Sequence, residues 1–422
     1  MQKRLIVPEF VEKKVETFLK VSAKHAVRHE VSDSSFFRSH RAAVLGKEST
    51  GVTLASPRTE LESVAINESP AREDEKKLKI TNHDPGNYRA DFFASVCWDF
   101  GRPLAFPPAP SPRGVCLAVD LSPSSDLPRG KLAVAQTHPG YPCQQELYTA
   151  ENKTDLSQCK FLGRERGQLK GEALCVYDNT AAYLRFLREV FGVDGLDGKG
   201  TVVRSTIHYG QNYGNAFFDG EQMVYGEGDG RIFKGFSCDF SVVAHELSHG
   251  FSGNLLFLEY KGQSGALNES LSDVFACAAR HWREKTPCHK GVWVIGDRIM
   301  DHPHCLRSLS SPGSAYRDHP VIGNDPQVAH MKNLYVGEKD EGGVHVNSGI
   351  PNRAFYLFSN SVGGNCWETP AQIWFKVLRE KMVSRYATFE DFARATLKAA
   401  AGESPAVRQK LRDAWQEVGV AC

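Results

Sequence analysis

Apolar residues in the second half of the chain recur every three or four positions. This spacing predicts helices over 240–253, 265–284, 351–362, 370–384, 388–401 and 404–418. Upstream, 179–190 has the same period and is closed by a glycine-containing turn at 191–195. Residues 201–209 alternate like a strand, and 210–230 is rich in the Gly, Asn and Asp of tight hairpins. Strand signals therefore precede a mainly helical half, an order that favours an α+β fold.

The first third of the chain is different. Residues 10–31 repeat apolar positions at helical spacing among Lys and Glu, which predicts one amphipathic helix. Ten of the 21 prolines then fall between 46 and 130, and a charge run at 72–77 is typical of a solvated face. We interpret 46–140 as a proline-rich linker or insertion of unknown role.

Composition narrows the classes of function. A chain of 422 residues predicts two or three structural units. With 51 basic and 50 acidic residues the net charge is +1, which gives no general case for binding nucleic acid or an anionic membrane. No apolar run approaches the roughly 18 residues of a membrane helix. The 11 cysteines form no Cys-x-x-Cys pair, and pairs such as Cys143 with Cys159 stay open.

The strongest chemical signal is the sequence His245-Glu246-Leu247-Ser248-His249. Histidines four residues apart on a helix share one face, so both rings can reach one metal ion. Glu246 then lies beside the remaining coordination position, where a hydrolytic zinc site needs a base.

A third ligand is expected downstream. Glu269 and Asp273 are four apart on the predicted helix 265–284, so both carboxylates share one face. Glu269 would complete the metal site, and Asp273 would accept the free ring N–H of a ligand histidine. Proteases with a third histidine ligand need Gly and His where this chain has Ser252 and Leu255, so the carboxylate-ligand class remains.

A further histidine follows a Gly-Gly bend. His345 lies five residues after Asp340 at the start of a predicted helix. If the two side chains meet, a cationic imidazole there would stabilise a developing oxyanion.

Four motifs together resemble the thermolysin-like neutral zinc metalloproteases, closest to the short-propeptide protealysin type. They are the zinc motif 245–249, Asn268 to Asp273, the segment 215–230 and Gly343 to Gly349. The resemblance implies a two-lobed α+β fold with the zinc helix in the cleft. It places a β-rich lobe at 141–253, a helical lobe at 254–422 and a propeptide-like helical extension at 1–45.

The resemblance also implies the roles of individual residues. His245, His249 and Glu269 would bind one Zn²⁺, with Glu246 as general base and Asp273 holding His245. Tyr260 and His345 would hold the oxyanion, with His345 oriented by Asp340. Arg307 would grip a substrate carbonyl, and Asn215 with the backbone of Ala216 would pair with an extended substrate.

An apolar pocket on the leaving-group side is implied as well, and it would favour bulky hydrophobic residues. Its lining would be Phe233, Val242, Ile295 and Leu306. Calcium binding is uncertain, because the usual acidic ligands are mostly replaced, here by Ser241, Arg280, Val292 and Val294. Only Asp297 matches, and calcium takes 6–8 oxygen ligands.

Partners and location follow from the same comparison. Peptide and protein substrates are expected, and the protein is expected to be a monomer. The chain's own N-terminal segment is a candidate inhibitor. The stretch Ile6-Val7-Pro8-Glu9-Phe10 lies near a motif of that propeptide but lacks its second proline. The resemblance favours secretion, whereas no signal peptide is visible at the start, which leaves a cytoplasmic location as the alternative.

Two other functions are compatible with the same residues. A non-catalytic zinc module would bind partners through the insertion and the first helix. An aminopeptidase of the carboxylate-ligand class is ranked lower, because such enzymes typically place one residue fewer between the second histidine and the glutamate.

Overall fold

The computed structural model describes residues 4–20 and 144–422, and the expectations for 46–140 lie outside the described residues. Eight strands occur in them: β1 (Arg4–Leu5), β2 (Gln145–Thr149), β3 (Lys160–Gly163), β4 (Val203–Ile207), β5 (Ala216–Phe218), β6 (Gln222–Tyr225), β7 (Val294–Ile295) and β8 (Arg307–Ser308). Helices are α1 (9–20), α2 (Gly171–Phe186), α3 (Phe240–Leu255), α4 (Gly262–Glu284), α5 (Lys339–Asn347), α6 (Gly349–Val362), α7 (Thr369–Arg379), α8 (Phe389–Ala399) and α9 (Pro405–Glu417).

Six strands form one mixed sheet in the order β1-β5-β6-β4-β2-β3. The neighbours β2, β4 and β6 run parallel, whereas β5 is antiparallel to β6. The N-terminal strand β1 pairs antiparallel with β5, so that Leu5 faces Phe217. The hairpin expected within 210–230 is therefore confirmed, and the N-terminal segment extends its sheet by one strand.

Helix α3 lies between the sheet and the helical half. Its start is capped by Asp239, whose carboxylate accepts hydrogen bonds from the backbone N–H of Ser241 and Val242. Every residue from 241 to 252 is buried, as expected of a helix covered on all sides. It contacts β5 on one side and α4 on another, so it forms the floor between a mixed-sheet lobe and a helical lobe. The two-lobed α+β expectation is confirmed.

The predicted helices are present, with shifts at some ends. Helix α2 begins at Gly171 rather than 179. No signal in the sequence marks this earlier start, because the N-cap residue Lys170 makes no side-chain capping bond. Its last turn widens over Leu187–Phe191 and closes at Gly192 with φ 69°. Helix α7 ends at Arg379 rather than 384, since Lys381 adopts a left-handed φ of 50°. Of the helix expected at 10–31, only the part up to 20 lies within the described residues.

Among the described cysteines, one disulfide joins Cys175 in α2 to Cys238 just before α3. The sequence did not single out this pair. Cys159 forms no disulfide with another described cysteine, and Cys143 lies outside the described residues.

Candidate active site

Two histidines on α3 approach each other closely at the floor of the cleft. His245 and His249 are fully buried, and their Nε2 atoms lie 3.1 Å apart. One helical turn separates the two residues, which stacks both rings on the same face.

Helix α4 brings a carboxylate to the same point. Glu269 is fully buried, with Oε2 3.4 Å from His245 Nε2 and Oε1 3.4 Å from His249 Nε2. Close packing around α4 depends on Gly265: a Cβ there would lie 2.4 Å from the side chain of Val344 and 2.9 Å from the backbone of Tyr260. The expected set of His245, His249 and Glu269 is thus brought together.

These three residues fit a zinc ion. Bonds of about 2.0–2.1 Å in tetrahedral geometry place neighbouring ligand atoms roughly 3.3 Å apart, close to the spacing found here. Each histidine also points its Nδ1 at a fixed oxygen acceptor, Asp273 at 2.8 Å or Asn268 at 2.8 Å. With Nδ1 of each ring turned toward an oxygen, the two Nε2 atoms can both present lone pairs to a metal ion between them. Glu269 Oε2 also has no hydrogen-bond donor among the described residues.

Asp273 is the centre of a buried network behind the metal ligands. Arg307 donates to both of its oxygens, at 2.8 and 2.9 Å, and Asn352 donates to Oδ2 at 2.8 Å. Burial opposes the charge on Asp273, but Arg307 and His245 outweigh burial and lower the pKa of the carboxyl to about 2. Asp273 therefore stays ionised, and its Oδ1 lies 2.8 Å from His245 Nδ1.

Three supporting residues were not given a role from the sequence. Asn268 and Ser272 contact His249 Nδ1, at 2.8 and 2.9 Å, and Asn352 contacts Asp273. Asn268 and Ser272 lie on the same helix as Glu269, so helical spacing could have pointed to them. Asn352 comes from α6, and no local pattern connects it to the site.

Glu246 lies one residue after His245 and is fully buried. Neither of its carboxylate oxygens has a hydrogen-bond donor in the described part of the chain. Burial raises the pKa of Glu246, the nearby Glu269 adds to this effect, and His245, Arg307 and His345 oppose it, so that the pKa is about 8. A carboxylate in this environment has a strong tendency to accept a proton.

His345 and Asp340 meet as the sequence suggested. Residues 340–343 all have positive φ, and helix α5 becomes regular only after this bend. Nδ1 of His345 lies 2.6 Å from Asp340 Oδ1, and Nε2 lies 2.5 Å from the carbonyl oxygen of Leu5. Both ring nitrogens therefore face acceptors. Burial works against the charge on His345, but Asp340 and Glu269 outweigh it and raise its pKa to about 9.

Tyr260 reaches the same site from the segment before α4. Its hydroxyl donates to Glu269 Oε1 at 2.5 Å. The hydroxyl therefore contacts one of the three candidate metal ligands directly.

The N-terminal segment occupies the groove expected to hold a peptide. Asn215 bonds both the N–H and the carbonyl of Val7, at 2.9 and 3.0 Å. The N–H of Ile6 donates to the carbonyl of Ala216 at 3.1 Å, and Arg307 donates to the Ile6 carbonyl at 2.7 Å. Each residue expected to bind substrate backbone is thus bound to backbone of this segment.

The four expected pocket residues separate into two pairs. Phe233 and Leu306 line a cavity together with Val7, Pro8 and Val11 of the N-terminal segment. Val242 and Ile295 are fully buried, and they are not part of that lining. All four belong to the hydrophobic cluster that also contains Ile6.

Arg280 stands at one of the positions where the resemblance would place an acidic calcium ligand. Its guanidinium bonds both oxygens of Asp297, at 2.8 and 2.9 Å. The remaining matched carboxylate is thus paired with a cation of the chain itself.

Comparison with known proteins gives two matching family models. The model described as "Thermolysin metallopeptidase, catalytic domain" matches residues 141–253, and "Thermolysin metallopeptidase, alpha-helical domain" matches 257–420. The boundary between them falls after α3, near the predicted boundary between the lobes.

Individual proteins show the same similarity. An extracellular metalloprotease from Pectobacterium carotovorum subsp. carotovorum is 41% identical over 301 residues, covering 69% of this chain and 84% of that protein. A thermolysin from Alicyclobacillus acidocaldarius subsp. acidocaldarius is 35% identical over 248 residues, covering 56% and 43%. Among solved structures, the precursor of protealysin from Serratia proteamaculans has a TM-score of 0.64 and 41% identity, covering 68% of this chain and 90% of that one.

Proposed function

Because the chain belongs to the thermolysin family of zinc metallopeptidases, and is a zinc metalloendopeptidase, we propose that Glu246 is the general base of its peptide hydrolysis. The observation that carries this proposal is a buried carboxylate, with no hydrogen-bond donor among the described residues, beside three converging candidate metal ligands. His245, His249 and Glu269 would hold the ion. When bound, zinc supplies Lewis acidity to a water molecule and to the substrate carbonyl.

The chain's own groups account for the proton movements. Glu246 would take the proton from the attacking water and pass it to the leaving amine. His345, held as a cation by Asp340, would donate a hydrogen bond to the oxyanion, and the Tyr260 hydroxyl lies near enough to Glu269 to assist. Asp273 would hold His245 in the tautomer that binds metal.

Substrate positioning would use the groove that now holds the N-terminal segment. Asn215 and Ala216 would pair with the substrate backbone as an added edge strand. Arg307 would bind the carbonyl of the first residue on the leaving-group side. By this register Leu5 and Ile6 stand where the two residues flanking a cleaved bond would lie. Ile6 is fully buried, which supports a preference for bulky hydrophobic residues after the bond.

The same contacts suggest how the enzyme would be restrained. The N-terminal segment takes the hydrogen bonds of Asn215, Arg307 and His345 that a substrate would need. We infer that it inhibits the intact chain and that the enzyme is a zymogen. Because a similar protein is named extracellular, secretion is also proposed, by resemblance alone.

Calcium is not part of the proposal. Arg280 already neutralises Asp297, and a divalent ion at that point would have to displace the guanidinium. One zinc ion is the metal proposed for catalysis.

A peptide assay tests the function. We expect cleavage of an amino-blocked peptide before Leu, Phe or Ile, and loss of cleavage after chelation with recovery on adding Zn²⁺. Cleavage confined to peptides with a free amino terminus would indicate an aminopeptidase instead. Bound zinc without turnover, in a chain freed of its N-terminal segment, would favour a binding module.

A further inference from the structure

A second group of metal-ligand side chains lies in the mixed-sheet lobe, outside the candidate active site. Glu172 is in the first turn of α2, His208 follows β4, and Glu227 follows β6. His208 Nε2 lies 3.9 Å from Glu172 Oε2 and 3.7 Å from Glu227 Oε1. One ligand atom from each residue lies within 4.8 Å of the others. We propose that these residues form a second site for a divalent transition metal ion, which Zn²⁺ would fill.

The imidazole of His208 is oriented for metal binding. Its Nδ1 lies 3.0 Å from the hydroxyl oxygen of Thr149, which can accept the ring proton. Nε2 is then left as the lone-pair nitrogen, and it points toward both carboxylates. The backbone of His208 has a φ of 55°, a conformation that non-glycine residues adopt rarely. Its carbonyl is held by the N–H of Asn152 at 2.8 Å.

Glu172 is also fixed in place. Ser237 donates its hydroxyl proton to Glu172 Oε2 at 2.7 Å. The disulfide between Cys175 and Cys238 joins the turn of α2 that follows Glu172 to the residue beside Ser237. Two of the three ligands are therefore positioned by contacts that do not involve the metal, which lowers the entropic cost of binding.

The donor set selects the class of metal. One imidazole nitrogen with two carboxylate oxygens suits Zn²⁺ and its neighbours among the transition metals, whereas calcium prefers oxygen alone. Tetrahedral zinc needs ligand atoms about 3.3 Å apart, so His208 Nε2 and the two carboxylate oxygens, now 3.7 and 3.9 Å from it, must approach by roughly half an ångström. The two carboxylate oxygens lie within 4.8 Å of each other. The side chains are 33%, 30% and 41% exposed for His208, Glu172 and Glu227, so water can complete the shell.

The location gives the site a structural role. His208 and Glu227 lie at the two ends of the segment that contains Asn215 and strand β5, which pairs with β1. An ion bound to both, and to Glu172, would close this segment at its base and tie it to α2. The substrate-binding edge would then be more rigid with the ion than without it.

Zinc stoichiometry of the full chain tests the proposal. The metal-free chain is dialysed against Zn²⁺, and bound metal is measured by mass spectrometry of the ion. We expect two zinc ions per chain for the parent, one for Glu227→Gln, and two for the control Glu221→Gln, an exposed residue of the same hairpin. One ion in all three proteins, or two in Glu227→Gln, would overturn the proposal and leave His208 as an imidazole that contacts Thr149 and lies near two carboxylates.

Thr149→Val provides a second test that leaves all three ligands in place. Loss of the group that orients His208 should weaken binding of the second zinc ion by about 10- to 100-fold, with the first ion unaffected. The dissociation constants are measured by competition with a coloured chelator. An unchanged dissociation constant for the second zinc ion would contradict the proposed orientation of His208.

Discussion

Replacing Ile6 with alanine should activate the intact chain. Ile6 is fully buried in the hydrophobic cluster that contains Phe233 and Leu306, between the hydrogen bonds made by its own N–H and carbonyl. The substitution removes side-chain carbons but keeps the backbone bonds to Ala216 and Arg307. It therefore weakens docking of the segment without touching any group proposed to take part in catalysis.

The size of the effect follows from burial. Alanine lacks three of the carbons of isoleucine, and burying each contributes about 0.8 kcal/mol, or about 2.4 kcal/mol together. If the segment inhibits by occupying the groove, activity is proportional to the fraction of chains in which it has left. That fraction should rise by roughly 50-fold, because about 1.4 kcal/mol corresponds to a factor of ten.

The assay is the initial rate of cleavage of a hydrophobic peptide by zinc-loaded full-length protein, with chain integrity checked by mass spectrometry. Thr17→Ala is the matched control, since Thr17 is exposed on α1 and, within the described part of the chain, its hydroxyl donates to the Lys13 carbonyl of the same helix alone. The control should behave like the parent chain. Equal rates for Ile6→Ala and the parent, with both chains intact, would refute the view that this segment restrains the enzyme.

Three further predictions concern stability and metal binding. In the metal-free chain the pKa of Asp273 is lowered from 3.8 to about 2. The ionised carboxylate therefore contributes its full share to the free energy of unfolding above pH about 4, and this contribution is lost as the pH falls toward about 2. In urea unfolding, the difference in the free energy of unfolding between the parent and Asp273→Asn should decrease by about 2 kcal/mol over that pH range. A difference that stays constant would contradict an ionised, paired carboxylate. Asn268→Ala should weaken binding of the catalytic zinc by about 10- to 100-fold in a chelator competition, while Asn254→Ala on the exposed end of α3 should not. Added Ca²⁺ should leave the melting temperature of the zinc-loaded chain unchanged, and a rise of several degrees would show that Arg280 does not exclude calcium.

Local spacing explains why most of the active site could be predicted from the sequence. His245 and His249 are one turn apart on one helix, and Glu269 and Asp273 are one turn apart on the next. Such pairs are fixed by helix geometry once the helix is recognised. The resemblance then linked the two helices, and the structure brings their side chains to one point.

Contacts between distant segments could not be predicted in the same way. Leu5 meets His345 across 340 positions, and Arg307 meets Ile6 across 301. Asn352 reaches Asp273 from another helix, and the disulfide joins Cys175 to Cys238 over a separation of 63. No periodicity encodes these pairings, because they depend on how whole elements pack. The early start of α2 was missed for a local reason, the absence of a capping side chain at Lys170.

The role of Glu246 is tested most directly by Glu246→Gln in a chain freed of its N-terminal segment. Glutamine keeps the size of the side chain but cannot accept the proton, so kcat should fall by about 10²- to 10⁴-fold while zinc content stays equal to that of the parent. Glu221→Gln, carried through the same preparation, should retain full activity. A Glu246→Gln enzyme with normal zinc and a kcat near that of the parent would contradict the proposed mechanism.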